Sequence, residues 1–173
     1  MPNAHGVKMP DEHQLLQNTK FTQAIILLVG IFVLTGIGVF HTYPPPPSPL
    51  SAPVTAFSST RAMSHVRRIG SKPHPTGSPE NTEVRQYLIS QITALGFAPE
   101  IQSAVVINPK TKQAIQIHNV LVKIPGTKSG KALMLVAHYD SVPIGPGAAD
   151  NGASVAAILE TLRAIKTQVP LQN

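Results

Sequence analysis

LMLVAHYDSVPIGPGAADNGASVAAILETLRAI, residues 133–165, joins a short apolar run to an apolar-striped helix through a Gly/Pro-rich loop. Ala132 to Ala137 (ALMLVA) is continuously apolar, as expected of a central strand covered on both faces. After Asp150, the residues Val155, Ile158, Leu159, Leu162 and Ile165 recur at three and four, which predicts a helix with one apolar stripe. His138 and Asp140 fall just past the carboxyl end of the strand, where open α/β sheets place their ligands. Their spacing of two puts both side chains on one side of an extended chain. Asp150 follows at the mouth of the helix, after Gly145, Pro146 and Gly147, which let the loop bend back over the strand end.

Two readings of these polar residues stand side by side. In the first, His138 and Asp150 are metal ligands and Asp140 orients a neighbour. Neutral imidazole suits zinc, and a carboxylate can bridge two ions with its two oxygens. In the second, they are ordinary loop polar residues, and Asp150 only caps the helix that follows. Spacing alone does not decide between them.

Towards the amino terminus, Ser58 or Ser59 is placed to cap a helix ending at Ile69, with Gly70 beyond it. A rigid loop, SKPHPTGSP (71–79), follows. Ser78 before Pro79 starts a second helix, striped by Val84, Leu88, Ile92 and Leu95 and ended by Gly96. Residues 100–107 and 115–124 read as strands joined by a turn at Asn108-Pro109-Lys110. The order helix, helix, strand, strand, strand, helix predicts an α/β fold, a sheet sandwiched by helices, in a domain spanning 57–173. His74, His65 and His118 are expected to be structural or surface groups, and Glu160 a solvated helix residue. Ser141 and Ser154 lack the Gly-x-Ser-x-Gly surround of a nucleophile.

Further out, FTQAIILLVGIFVLTGIGVF (21–40) carries no charge. Twenty residues at ~1.5 Å rise cross a ~30 Å hydrocarbon core, so one transmembrane helix is expected. The run is too long for the apolar region of a signal peptide, and no small-x-small cleavage site follows it. Lys8 and Lys20 precede the helix, and no Lys or Arg lies within twenty residues after it. Residues 1–20 are therefore expected in the cytoplasm and the domain in a lumen, periplasm or exterior. Residues 41–56, with six prolines between Pro44 and Pro53, read as a polyproline stalk.

Composition excludes other classes. The chain has no Cys, so it has neither a disulfide framework nor a thiolate metal site. The net charge of +6 is carried by scattered Lys and Arg in 58–173, without interleaved aromatics. That is a mildly basic solvated surface, and no nucleic-acid partner is expected.

Three stretches carry a resemblance: SHVRRIGSKPHPTGSPENTEVRQYLISQITALGF (64–97), HNVLVKIPG (118–126) and residues 133–165. Together they resemble the amino-terminal half of a zinc-dependent aminopeptidase-type metallopeptidase. The similarity is to the membrane-anchored branch that includes the endoplasmic reticulum metallopeptidase and the vacuolar membrane protease. The resemblance implies a zinc exopeptidase-like fold, with a mixed, mostly parallel sheet between helices, and hydrolysis of peptide bonds in a peptide or protein substrate. It implies that His138 binds one zinc, that Asp150 bridges two, and that Asp140 supports the site as a catalytic residue without binding metal. The family's remaining ligands and its glutamate base have no counterpart after Asp150, where Glu160 is the sole acid. The chain is therefore expected to be a fragment that is inactive alone. A glutaminyl cyclase-like zinc acyltransferase and a non-catalytic ectodomain of the same fold are the alternatives.

Overall fold

The computed structural model describes residues 12–166, 168 and 170–172; Lys8 and the rest of the 1–11 segment lie outside them. The chain divides into two compact units, one ending at Pro46 and one beginning at Pro47.

The first unit is a helix, α1, Glu12–Thr42. It begins earlier than the uncharged run, because Leu15 and Leu16 continue the apolar character upstream of Lys20. Leu15–Thr42 is long and apolar enough to cross a membrane by length and composition.

In the second unit, helix α2 covers Ser59–Ile69. Its Ser58 hydroxyl accepts from the Arg61 N–H at 3.2 Å, and the Gly70 N–H donates to the Val66 carbonyl at 2.8 Å. Helix α3, Pro79–Ala94, starts with Ser78 capping the Asn81 N–H at 3.0 Å and with Pro79 in the first turn. Strands β1, Glu100–Ile107, and β2, Ala114–Leu121, pair antiparallel, with Ser103 opposite His118. The turn between them is held by the Asn108 carboxamide oxygen, which accepts from the N–H groups of Lys110 and Thr111. Helix α4, Ala153–Lys166, packs its stripe on the other two helices. Ile69, Val84, Leu88, Ile92, Val155, Leu159 and Leu162 form the buried core. Tyr87, Phe97, Val120, Val122, Ala137 and Tyr139 border it.

The α/β class holds, with two differences in its parts. Among the described residues the sheet is the single antiparallel pair β1–β2, not a mostly parallel sheet, and residues 132–140 run extended without joining it. An apolar run reads as a central strand only if neighbouring strands and helices cover both faces. Here Leu133 and Met134 are 84% and 80% exposed, so that cover is missing among the described residues. Ala137 and Tyr139 do turn towards the core, and the Tyr139 hydroxyl donates to the His118 carbonyl on β2 at 2.7 Å. The alternation inferred from the sequence therefore survives where it matters for the site.

The second difference is the start of the folded unit, at Pro47 rather than near Phe57. Residues 47–56 are not a free stalk. Prolines lack N–H groups but keep their carbonyls, and two guanidinium groups collect the carbonyls of this segment. Arg61 donates to the Leu50, Ala52 and Ala56 carbonyls at 2.8, 2.9 and 2.8 Å. Arg163 on α4 donates to the carbonyls of Ala56 (2.7 Å) and Val54. Glu160 holds both arginines in place. It is not the solvated residue expected from the sequence: it is 1% exposed. Its carboxylate accepts from Arg61 Nε at 2.9 Å, Arg163 Nε at 2.7 Å and the Ser58 N–H at 2.8 Å.

Candidate metal centre

The site forms where the extended 132–140 segment meets the loop leading into α4. Because Ala137 and Tyr139 face the core, His138 and Asp140 face the other way, together. The chain then doubles back. Gly147 takes a left-handed conformation, φ +63°, where a Cβ would stand 2.8 Å from the Ser141 Cβ and 3.0 Å from the Asp150 carbonyl. The loop also rests on the end of α2, where a Cβ on Gly70 would lie 2.6 Å from the Ala148 Cβ. A wide turn over Ala148–Gly152 follows, with Asp150 and Asn151 in non-helical conformations and a cis peptide bond between them.

This path brings Asp150 to His138. The two nitrogens of His138 each face a carboxylate: Nδ1 lies 3.0 Å from Asp140 Oδ1, and Nε2 lies 3.1 Å from Asp150 Oδ1. Nδ1 is also 3.2 Å from the Asp140 carbonyl. The other oxygen of Asp140, Oδ2, accepts from the Thr76 hydroxyl at 2.6 Å. Partial burial pulls the His138 pKa down, but the Asp150 carboxylate and the carbonyl and carboxylate of Asp140 outweigh it. The imidazole is held above its ordinary value. The reading of Asp150 as only a helix cap does not hold. Regular helix starts at Ala153, and the Asp150 carboxylate is turned to His138.

The donor chemistry fits a divalent ion of the zinc type. In the metal-free chain both ring nitrogens face carboxylate acceptors. Loss of the Nε2 proton, with Nδ1–H kept on Asp140, would give the form in which histidine ligates metals. Two ligands at ~2.0–2.1 Å on a tetrahedral zinc stand about 3.3 Å apart. The Nε2–Oδ1 separation of 3.1 Å lies close to that distance. The set is partial, because no cluster of three or more His, Cys, Asp or Glu is placed for a metal among the described residues.

His65, His74 and His118 each have a local hydrogen-bond partner. His74 is 1% exposed and structural, its Nδ1 2.8 Å from the Lys72 carbonyl. His65 contacts the Tyr87 hydroxyl at 2.7 Å and His118 the Ser103 hydroxyl at 2.7 Å. Ser141 accepts from the His74 N–H at 2.7 Å and sits in no nucleophile constellation. Sequence reasoning missed Thr76. The TG of the 71–79 loop signals a turn, and nothing local points to an aspartate 64 residues away.

Peptidase family M28 matches residues 119–173, the segment that contains His138, Asp140 and Asp150. The chain is similar to the vacuolar membrane protease of Coprinopsis cinerea, at 26% identity over 82% of this chain and 16% of that protein. It is similar to the "Probable lipoprotein aminopeptidase LpqL" of Mycobacterium tuberculosis, at 39% identity over 47% of this chain and 17% of that one. It therefore spans about a sixth of the length of the curated relatives it matches. Among solved structures, the glutaminyl cyclase of Porphyromonas gingivalis shares the fold, with a TM-score of 0.58 and 24% identity. The match covers 65% of this chain and 41% of that one.

Proposed function

We propose that this chain, which resembles the membrane-anchored branch of peptidase family M28, supplies the amino-terminal part of a zinc-dependent peptidase domain. The observation that carries the reading is His138 held between two carboxylates, inside the segment that family M28 matches. His138 Nε2 and Asp150 would hold metal, Asp150 between two ions. Asp140 would hold the Nδ1–H, so that Nε2 could give its lone pair to the metal. Zinc bound there would supply a Lewis acid and lower the pKa of a bound water. A peptide substrate with a free amino terminus is the class this reading assigns. Glu160 is not the general base, since its carboxylate is spent on Arg61 and Arg163. The remaining ligands and the base would come from sequence outside residues 1–173. α1 would anchor the protein in a membrane with residues 1–20 on the cytoplasmic side.

The test is metal content and aminopeptidase activity of the full-length protein in detergent. Zinc uptake and hydrolysis, both lost in His138→Ala and Asp150→Ala, are expected. Activity indifferent to both substitutions would overturn the reading. The glutaminyl cyclase-like fold motivates a second reading, a zinc acyltransferase. Cyclisation of a peptide with amino-terminal Gln, without hydrolysis of other peptides, would favour it. Zinc uptake with neither activity would favour a binding ectodomain.

A further inference from the structure

We propose that Thr76 is a positioning residue of this centre, acting on His138 through Asp140; the inference rests on the metal reading above. The Thr76 hydroxyl donates to Asp140 Oδ2 at 2.6 Å, the short distance of a charge-assisted bond. That occupies one carboxylate oxygen and leaves Oδ1 for His138 Nδ1, 3.0 Å away. Thr76, Asp140, His138 and Asp150 are thus linked in one line.

The loop that carries Thr76 is fixed for this role. Pro73 and Pro75 lock φ on either side of His74. The His74 backbone is stapled in both directions to Ser141, the residue after Asp140. Its N–H donates to Ser141 Oγ at 2.7 Å, and its carbonyl accepts from the Ser141 N–H at 3.2 Å. The Asn81 side chain on α3 donates to the same carbonyl at 3.3 Å. Thr76 is two residues from this staple, and its β-branched side chain has few rotamers to explore. By contrast, the Asp140 side chain is 40% exposed and has little packing to hold its carboxylate plane. The hydroxyl supplies what packing does not. Thr76 lies outside the matched segment 119–173, so the centre is steadied by the helix-rich part that precedes it.

The experiment is the zinc dissociation constant of the full-length protein in detergent, by competition with a chromophoric chelator, for wild type, Thr76→Val and Thr76→Ser. Valine keeps the shape and removes the donor. Serine keeps the donor. Thr76→Val should weaken zinc about tenfold, the lower end of the range for groups that orient a ligand, while Thr76→Ser stays within about twofold of wild type. Thr76 is exposed, so the thermal unfolding of both metal-free variants should match wild type. Equal zinc affinity in Thr76→Val and wild type would overturn the inference alone, as would equal losses in the Val and Ser variants. A wild type that takes up no zinc would overturn the metal reading and this inference with it.

Discussion

The Glu160 cluster and the His138 cluster use the same chemistry, a carboxylate against a nitrogen base, in opposite surroundings. Glu160 is 1% exposed, and both its oxygens are taken by Arg61, Arg163 and the Ser58 N–H. Asp150 is 92% exposed in its side chain and meets His138 through one oxygen. The first cluster has no capacity left for a ligand and can only hold the fold. The second leaves its carboxylates open to solvent, as the proposed metal site requires.

The largest effect that could break this contrast is on folding. Glu160→Ala leaves two arginines without their buried partner and should destabilise the domain by about 3–5 kcal/mol in urea melts. A loss below about 1 kcal/mol would place Glu160 with surface pairs and erase the distinction. Gly70→Ala comes next. The new methyl would meet Ala148 at 2.6 Å, so it should cost about 1–3 kcal/mol and shift the site loop as well. Thermal unfolding with and without zinc would separate the two effects.

Acid and base limbs should also divide the clusters. Burial raises the Glu160 carboxyl, but the bonds from Arg163, the Ser58 N–H and Arg61 outweigh it and hold it below its ordinary 4.5. Its contribution is complete above that value and is lost as pH falls towards the folded value. Glu160→Gln should remove this acid limb. His138 is shifted upward in the metal-free chain, so its contribution is complete below 6.5 and fades as pH rises through the folded value. His138→Ala should remove that alkaline limb. The smallest effect is on stability itself. His138 is half exposed, and His138→Ala should change unfolding free energy by no more than about 0.5 kcal/mol.

What the sequence made legible was local. Ser58, Ser78, Pro79 and Gly96 mark helix ends by rules that need only neighbouring residues. His138 and Asp140 share a side because strand alternation is local. The return of Asp150 to His138 was foreshadowed by Gly145 and Gly147, although its role as more than a cap needed coordinates. The missed features depend on distant partners. Glu160 meets Arg61 across 99 positions, and the carbonyls of residues 50–56 gain their partners only when α2 and α4 come together. Thr76 and Asp140 are joined across 64 positions. The run 132–137 shows the converse. Its composition is that of a covered strand, but cover is a property of neighbours.

Equilibrium dialysis of the full-length protein in detergent against zinc, with wild type, His138→Ala and Asp150→Ala side by side, tests the central claim most directly. Wild type should retain zinc and both variants should release it under the same conditions, with unfolding curves close to wild type. Retention of zinc by both variants at wild-type affinity would contradict the claim.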